Sequence, residues 1–429
     1  MPPDVDNRRR VSLGSRHARR HFSSSESAWI KVQLNIGDLA GQMPGFLAGI
    51  VTGVITGVLG NKVDRRMREA ARSRSRAGYA RRVGTLPPVD GIVELQGIPD
   101  GYQPGNVSVS SPLERFYIPL PEDVAAALAA RGLGESVRPA LNFTLGHSLA
   151  DVGLEMGIAD LDSRVERHRA AVARQFIDRT EARERSNSYQ RFNNEKFGIR
   201  QYVFEHVGTA EIPSVRFSTY KTDYFTHSIM HAVHAELREE GHAIGNARAA
   251  AQIQRYYPFL TSLGVNCFVV TEPGDAREEP HVIFVKRSRF VDGFRNAGLW
   301  HVSMNEGFSV TDVESDNDTP RLDRCVRRDL EEELGILPDD ISSIRFFDVF
   351  FVEAEFELGI TAIARVTRTT EQLRLTAGKD THWEREGAPT FVPYRASELR
   401  KFLVEAKLTR AGLYFGQRLL SRMPFDQNP

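Results

Sequence analysis

Cysteine is nearly absent from this chain: its 429 residues hold two, Cys267 and Cys325, in unrelated sequence patterns. Two isolated thiols exclude a disulfide framework and a Cys-based zinc site, and they point to a reducing compartment. Each reads most simply as a small buried apolar residue. Net charge is absent too, because 56 Lys and Arg balance 56 Asp and Glu. The whole molecule therefore has no bulk attraction for nucleic acid. Long apolar runs are missing, apart from one. With 41% hydrophobic and 26% charged residues, wholesale disorder and a many-span membrane protein are both excluded. The length suits two or three domains of roughly 150 residues each.

The single apolar run, Met43 to Gly60, contains no charged residue. It is near the lower length limit for crossing the hydrocarbon core. Gly45, Gly49, Gly53 and Gly57 recur every four residues and would form one groove along a helix. In lipid such a groove lets two helices approach closely, whereas in water the glycines would weaken a helix. Residues 43–60 are therefore expected to form a transmembrane helix capable of self-association. The alternative is a buried Gly-rich helix or loop of a soluble domain.

Lys62, Arg65, Arg66, Arg68, Arg72, Arg74 and Arg76 follow directly. Basic clusters beside a span stay on the cytoplasmic side. The expectation is a single-pass membrane protein with its C-terminal domain in the cytoplasm; the alternative is a cytoplasmic protein. Residues 1–40 read as a basic flexible leader, and 61–84 as a basic juxtamembrane segment. A nucleic-acid binder using these arginines is a weaker reading, because no recognised module accompanies the charge.

Residues 85–254 read as an α/β region to which the sequence assigns no chemistry. Phe116 to Leu120 suggests a short strand. Ala159 to about Ser186 suggests a solvated charged helix, and Thr226 to Glu240 a second helix. Tyr220, Tyr224 and Phe225 read as core.

From about residue 255 the pattern changes. Val265 to Thr271 and Val282 to Lys286 flank a turn-rich stretch and read as a hairpin. Leu299 to Ser303, Ile344 to Val352, Gly359 to Val366 and Phe391 to Pro393 suggest further strands. Helices are expected at Leu322 to Leu334 and from Ala396 to about Glu405. Strands interrupted by a few helices indicate an α/β or α+β sandwich.

The most informative residues are Arg328-Asp329-Leu330-Glu331-Glu332-Glu333-Leu334-Gly335-Ile336. In a helix, Asp329, Glu332 and Glu333 stand at i, i+3 and i+4 and share one face. Three like charges on a stripe repel, and a hard divalent cation, Mg²⁺ or Mn²⁺, would relieve that repulsion. Such ions bridge phosphate oxygens and activate water. Arg328 is available to brace a carboxylate as a fork. Leu330 and Leu334 would hold the opposite face in the core, and Gly335 suits a left-handed helix end.

Here the sequence resembles the Nudix hydrolase family, whose signature is G-x5-E-x7-R-E-U-x-E-E-x-G-U, with U a bulky apolar residue. The second half matches in spacing, with Asp329 in place of a Glu. The first half departs from it: Glu314 stands where Gly is expected and Pro320 where Glu is expected. Glu306, Asp312, Glu314, Asp316 and Asp318 are candidates for a further carboxylate. The resemblance implies a C-terminal Nudix-like α/β/α sandwich over residues 255–429, preceded by the mixed α/β region and the membrane helix. It implies hydrolysis of a nucleoside diphosphate linked to another group, with Mg²⁺ or Mn²⁺ bound by Asp329, Glu332 and Glu333. Arg328 and Glu332 would serve catalysis, with a general base on a later strand or loop. Glu353 is the first choice for that base, and Glu355, Glu384 and Glu386 are further candidates. The altered first half motivates an alternative: a Nudix-fold sensor that binds a nucleotide without cleaving it and signals through its membrane segment.

Overall fold

A computed structural model of the chain describes residues 86, 88–110, 114–131, 148–186, 193–209, 211–272, 279–287, 296–314, 319–375 and 389–423. The expected leader, membrane segment and basic flank lie outside the described residues, as do Asp316, Asp318, Glu384 and Glu386. Among the described residues no helix is long and apolar enough to cross a membrane.

Along the chain, β1 (Ile92–Tyr102), β2 (Val107–Val109) and β3 (Glu114–Arg115) precede three helices. These are α1 (Glu122–Ala129), α2 (Leu149–Met156) and α3 (Leu161–Ser186). A long hairpin follows, β4 (Glu195–Val207) and β5 (Ile212–Asp223), then α4 (Tyr224–Glu239) and α5 (Ala250–Arg255). Next come β6 (Leu263–Thr271), β7 (His281–Lys286), β8 (Trp300–His301), β9 (Met304–Gly307), β10 (Val313–Glu314) and β11 (Thr319–Pro320). The chain continues through α6 (Leu322–Leu334), β12 (Ile341–Val352), β13 (Glu357–Val366) and α7 (Thr370–Arg374). It closes with β14 (Thr390–Pro393), α8 (Ala396–Glu405) and α9 (Arg410–Arg422).

The main sheet has the order β1-β12-β13-β6-β7-β14, with β9 added to β6 and β8 to β7. At its centre β13 and β6 run parallel, from Leu358 opposite Leu263 to Val366 opposite Thr271. Every residue of β6 is buried. That explains its nearly unbroken apolar sequence, since a strand covered on both faces has no need of polar alternation. Val265, Cys267 and Val269 enter one core with Cys325, Val326 and Leu330 of α6. Phe268 and Val270 enter the other with Leu399 of α8 and Phe415 and Leu419 of α9. The sheet thus lies between α6 on one face and α8 and α9 on the other.

Two relations span residue 255. The described residues belong to one compact unit, and β1, from the preceding region, pairs antiparallel with β12, Ile92 opposite Val352. Without β1, the backbone donors and acceptors of β12 would form an open sheet edge. The sequence of β1 alone cannot reveal a partner some 250 residues away.

The preceding region builds a second sheet on β5, with β4 antiparallel and β2 and β3 parallel to it. Phe116 to Leu120 is not the expected strand. Phe116, Ile118 and Leu120 are buried, but Pro119 has no N–H to offer a ladder. The backbone there bonds irregularly, Phe116 N–H to the Lys221 carbonyl and Ile118 N–H to Thr226 Oγ1. α3 is half-covered rather than wholly solvated: Leu161, Val165, Val172 and Phe176 enter the core. Its side chains Arg164, Arg167 and His168 converge on Glu236 of α4. Asp223 caps α4 by accepting the Thr226 N–H at 2.8 Å. The helix therefore starts at Tyr224, which is 38% exposed and not core, while Tyr220 and Phe225 are buried.

Candidate functional site

Gly335 adopts φ +65° and ends α6. Its N–H reaches the Glu331 carbonyl, and Ile336 N–H the Leu330 carbonyl, each at 3.1 Å. The apolar face of α6 carries Leu322, Val326, Leu330 and Leu334 into the core. Asp329 and Glu333 go with them, only 1% and 3% exposed.

Arg328 forks onto Asp312, Nε to Oδ1 at 2.8 Å and Nη2 to Oδ2 at 3.3 Å. Its Nη1 reaches Glu332 Oε2 at 3.2 Å. The Asp312 carboxylate is fully buried and also accepts the Ser309 N–H at 3.0 Å. Burial opposes the Arg328 charge, but the Asp312 hydrogen bonds and the nearby carboxylates hold it above the ordinary guanidinium value. Asp312 is thus an acid upstream of the helix that the arginine holds.

Asp329, Glu332 and Glu333 have the hard-oxygen chemistry that Mg²⁺ or Mn²⁺ takes. Among the described residues no group of three or more His, Cys, Asp or Glu is placed to hold a metal ion. Glu332 turns toward Arg328, and the Asp312 carboxylate is occupied by the same arginine. Glu353, the first choice for a base, pairs with Arg248.

A cavity of about 520 Å³ opens on the main sheet. Its wall includes Asn266 of β6, Asn305 and Glu306 of β9, Glu355, and Glu357 of β13. Phe350 and Phe415 add aromatic surface, and Arg287, His301, Thr409 and Arg410 add polar groups. Lys196 of β4 and His227 of α4 complete it from the preceding region. Asp329, Glu332 and Glu333 are not among the lining residues. Glu306 links the two places, since it lines the cavity and supports the Arg328 charge.

Burial shifts two cavity histidines toward the neutral form. His301 is buried, which depresses its pKa well below the ordinary value, and Arg287 adds to that shift. Its Nδ1 lies 2.6 Å from Thr409 Oγ1. His227 is depressed in the same way by burial, then by Lys196 and His231, with Nδ1 2.8 Å from Thr261 Oγ1. Sequence reasoning missed Lys196, His227, His301 and Arg410 as site residues. No motif surrounds them, and only the folded chain brings them to one cavity.

No family model and no curated protein matches the chain. Solved structures similar to part of it include the Nudix domain of Shewanella oneidensis NrtR complexed with ADP ribose. That match has 15% identity and a TM-score of 0.25, over 38% of this chain and 88% of that one. A Nudix hydrolase from Alicyclobacillus acidocaldarius is similar at 13% identity and a TM-score of 0.27, over 39% and 98%. A MutT/nudix family protein from Enterococcus faecalis is similar at 15% and 0.24, over 38% and 60%. Likeness at this level carries no functional argument, so the functional reading rests on α6 and the cavity.

Proposed function

We propose that this chain is a Nudix-type nucleotide-binding protein that takes a nucleoside diphosphate derivative in the cavity on the main sheet. The carrying observation is the cavity's lining, which combines cations, carboxylates and aromatic rings in a volume suited to a nucleotide. Aromatic surface suits a base, carboxylates and amides suit ribose hydroxyls, and cations suit phosphate.

On this reading the chain retains the ligand without cleaving it, a reading motivated by Glu314 and Pro320 standing where the family signature has Gly and Glu. The second reading is a metal-dependent pyrophosphohydrolase. It is favoured by the signature spacing on α6 and by the Arg328 fork. Incubating the full chain with nucleoside diphosphate compounds, with and without Mn²⁺, separates the two. Calorimetric binding with no product by chromatography is the expected result. Metal-dependent release of a mononucleotide would transfer the assignment to the hydrolase.

Residues 43–60 would tether the protein as a single-pass anchor, with the described residues on the cytoplasmic side, and their glycine groove would pair two copies. Ligand binding would then be relayed to that pairing. Full-length protein released from membranes by carbonate wash would remove the tether from this account.

A further inference from the structure

Two cations on the cavity wall have no carboxylate within ion-pair distance among the described residues: Lys196 and Arg410. The ring of Tyr224 lies 5.4 Å from the Lys196 ammonium. Arg410 is the first residue of α9, a helix of 13 residues. Thr409 caps that helix by accepting the Gly412 N–H at 2.9 Å. The N–H groups of Arg410 and Ala411, both cavity residues, have no partner within the helix by virtue of their position.

His301 supplies an independent sign of a ligand. It lines the same cavity, is 3% exposed, and its Nε2 is buried with no hydrogen-bond partner among the described residues. Its Nδ1 is anchored by the hydroxyl that caps α9. With that hydroxyl assigned as donor to Nδ1, the neutral ring carries its proton on Nε2, which is then a donor awaiting an acceptor. A buried polar atom left in this condition is costly, and a ligand oxygen would satisfy it.

We propose that Lys196, Arg410, His301 Nε2 and the first turn of α9 form a diphosphate-binding subsite of the cavity. The phosphates then sit at the amino end of α9 and not on the acidic helix α6. This rests on the reading of the cavity as a nucleotide site. Electrostatics favour the assignment: the amino end of a helix carries partial positive charge and exposed N–H groups, while α6 offers Asp329, Glu331, Glu332 and Glu333, which repel phosphate. Glu306, Glu355 and Glu357 share the cavity and would repel a diphosphate that lay away from the cations.

Calorimetry on the full chain with ADP, adenosine and inorganic pyrophosphate tests this, using the Lys196→Gln and Arg410→Gln variants. Each substitution should weaken ADP and pyrophosphate by about tenfold, the value of a charge-assisted hydrogen bond, while leaving adenosine affinity unchanged. A loss under about fivefold, in a protein that binds ADP, overturns the subsite and leaves the nucleotide reading standing. Pyrophosphate binding that both variants lose, without any nucleotide binding, supports the subsite and overturns the nucleotide reading. A chain that binds neither ligand overturns both.

Discussion

Arg328 of α6 and Asp312, 16 residues earlier, meet in a two-point ion pair whose carboxylate is fully buried. The pair fixes the entry to α6 against the turn before it, and Arg321 N–H adds a bond to the Asp312 carbonyl at 3.0 Å. Asp312→Ala would leave a largely buried guanidinium without its main partner. Such a break typically costs about 3–5 kcal/mol. Urea unfolding of the variant should show a loss in that range, and an unchanged midpoint would mean that Glu332 alone suffices to hold Arg328.

Gly335→Ala should destabilise the protein by about 1–2 kcal/mol, because a Cβ is strained at the left-handed φ of +65°. Thermal unfolding reads this directly. Nucleotide affinity should not change, since Gly335 does not line the cavity.

His234 gives a pH prediction. Burial, then His231 and Arg238, lower its pKa from 6.5 to about 4, and its ring packs 5.0 Å from that of Phe356. The folded state therefore binds fewer protons than the unfolded state between those values. The contribution of the neutral ring is fully present above pH 6.5 and is lost as pH falls toward 4. Across that window the loss is on the order of 3 kcal/mol. His234→Leu should flatten the decline in unfolding free energy between pH 6.5 and 4 relative to the parent. Equal slopes in the two proteins would contradict the buried neutral ring.

Gly307 ends β9 beside Lys196. A Cβ there would lie 2.9 Å from the Lys196 ammonium and 2.8 Å from its neighbouring carbon. The clash is with the tip of a flexible side chain, so the fold should survive Gly307→Ala while Lys196 moves. Pyrophosphate affinity is expected to fall by several-fold with the melting temperature nearly constant, measured by calorimetry and scanning fluorimetry. Full retention of affinity would place the ammonium outside the subsite.

Local pattern made much of the last 170 residues legible. The 3.6-residue period of Leu322, Val326, Leu330 and Leu334, closed by Gly335, defines α6 with the bounds it has in the structure. The apolar run at Val265 to Thr271 marks the doubly covered central strand. α9 escaped notice because its cap, Thr409, sits in a stretch with no proline or acidic signal, and its buried face includes Gly412, Gly416 and Gln417. The β4–β5 hairpin escaped because its strands mix charged and apolar residues over 13 and 12 positions.

By itself, then, the sequence determined the acidic helix, the strands that bury it and the family it resembles, because those depend on neighbours within a few turns or along one strand. Tertiary structure alone decided that β1 closes the sheet edge beyond β12, that Asp312 is the acid held by Arg328, and that Lys196, His301 and Arg410 share a cavity. Those relations join residues from 16 to more than 200 positions apart. Nothing in local periodicity encodes which distant side chains will meet when two sheets and their helices pack.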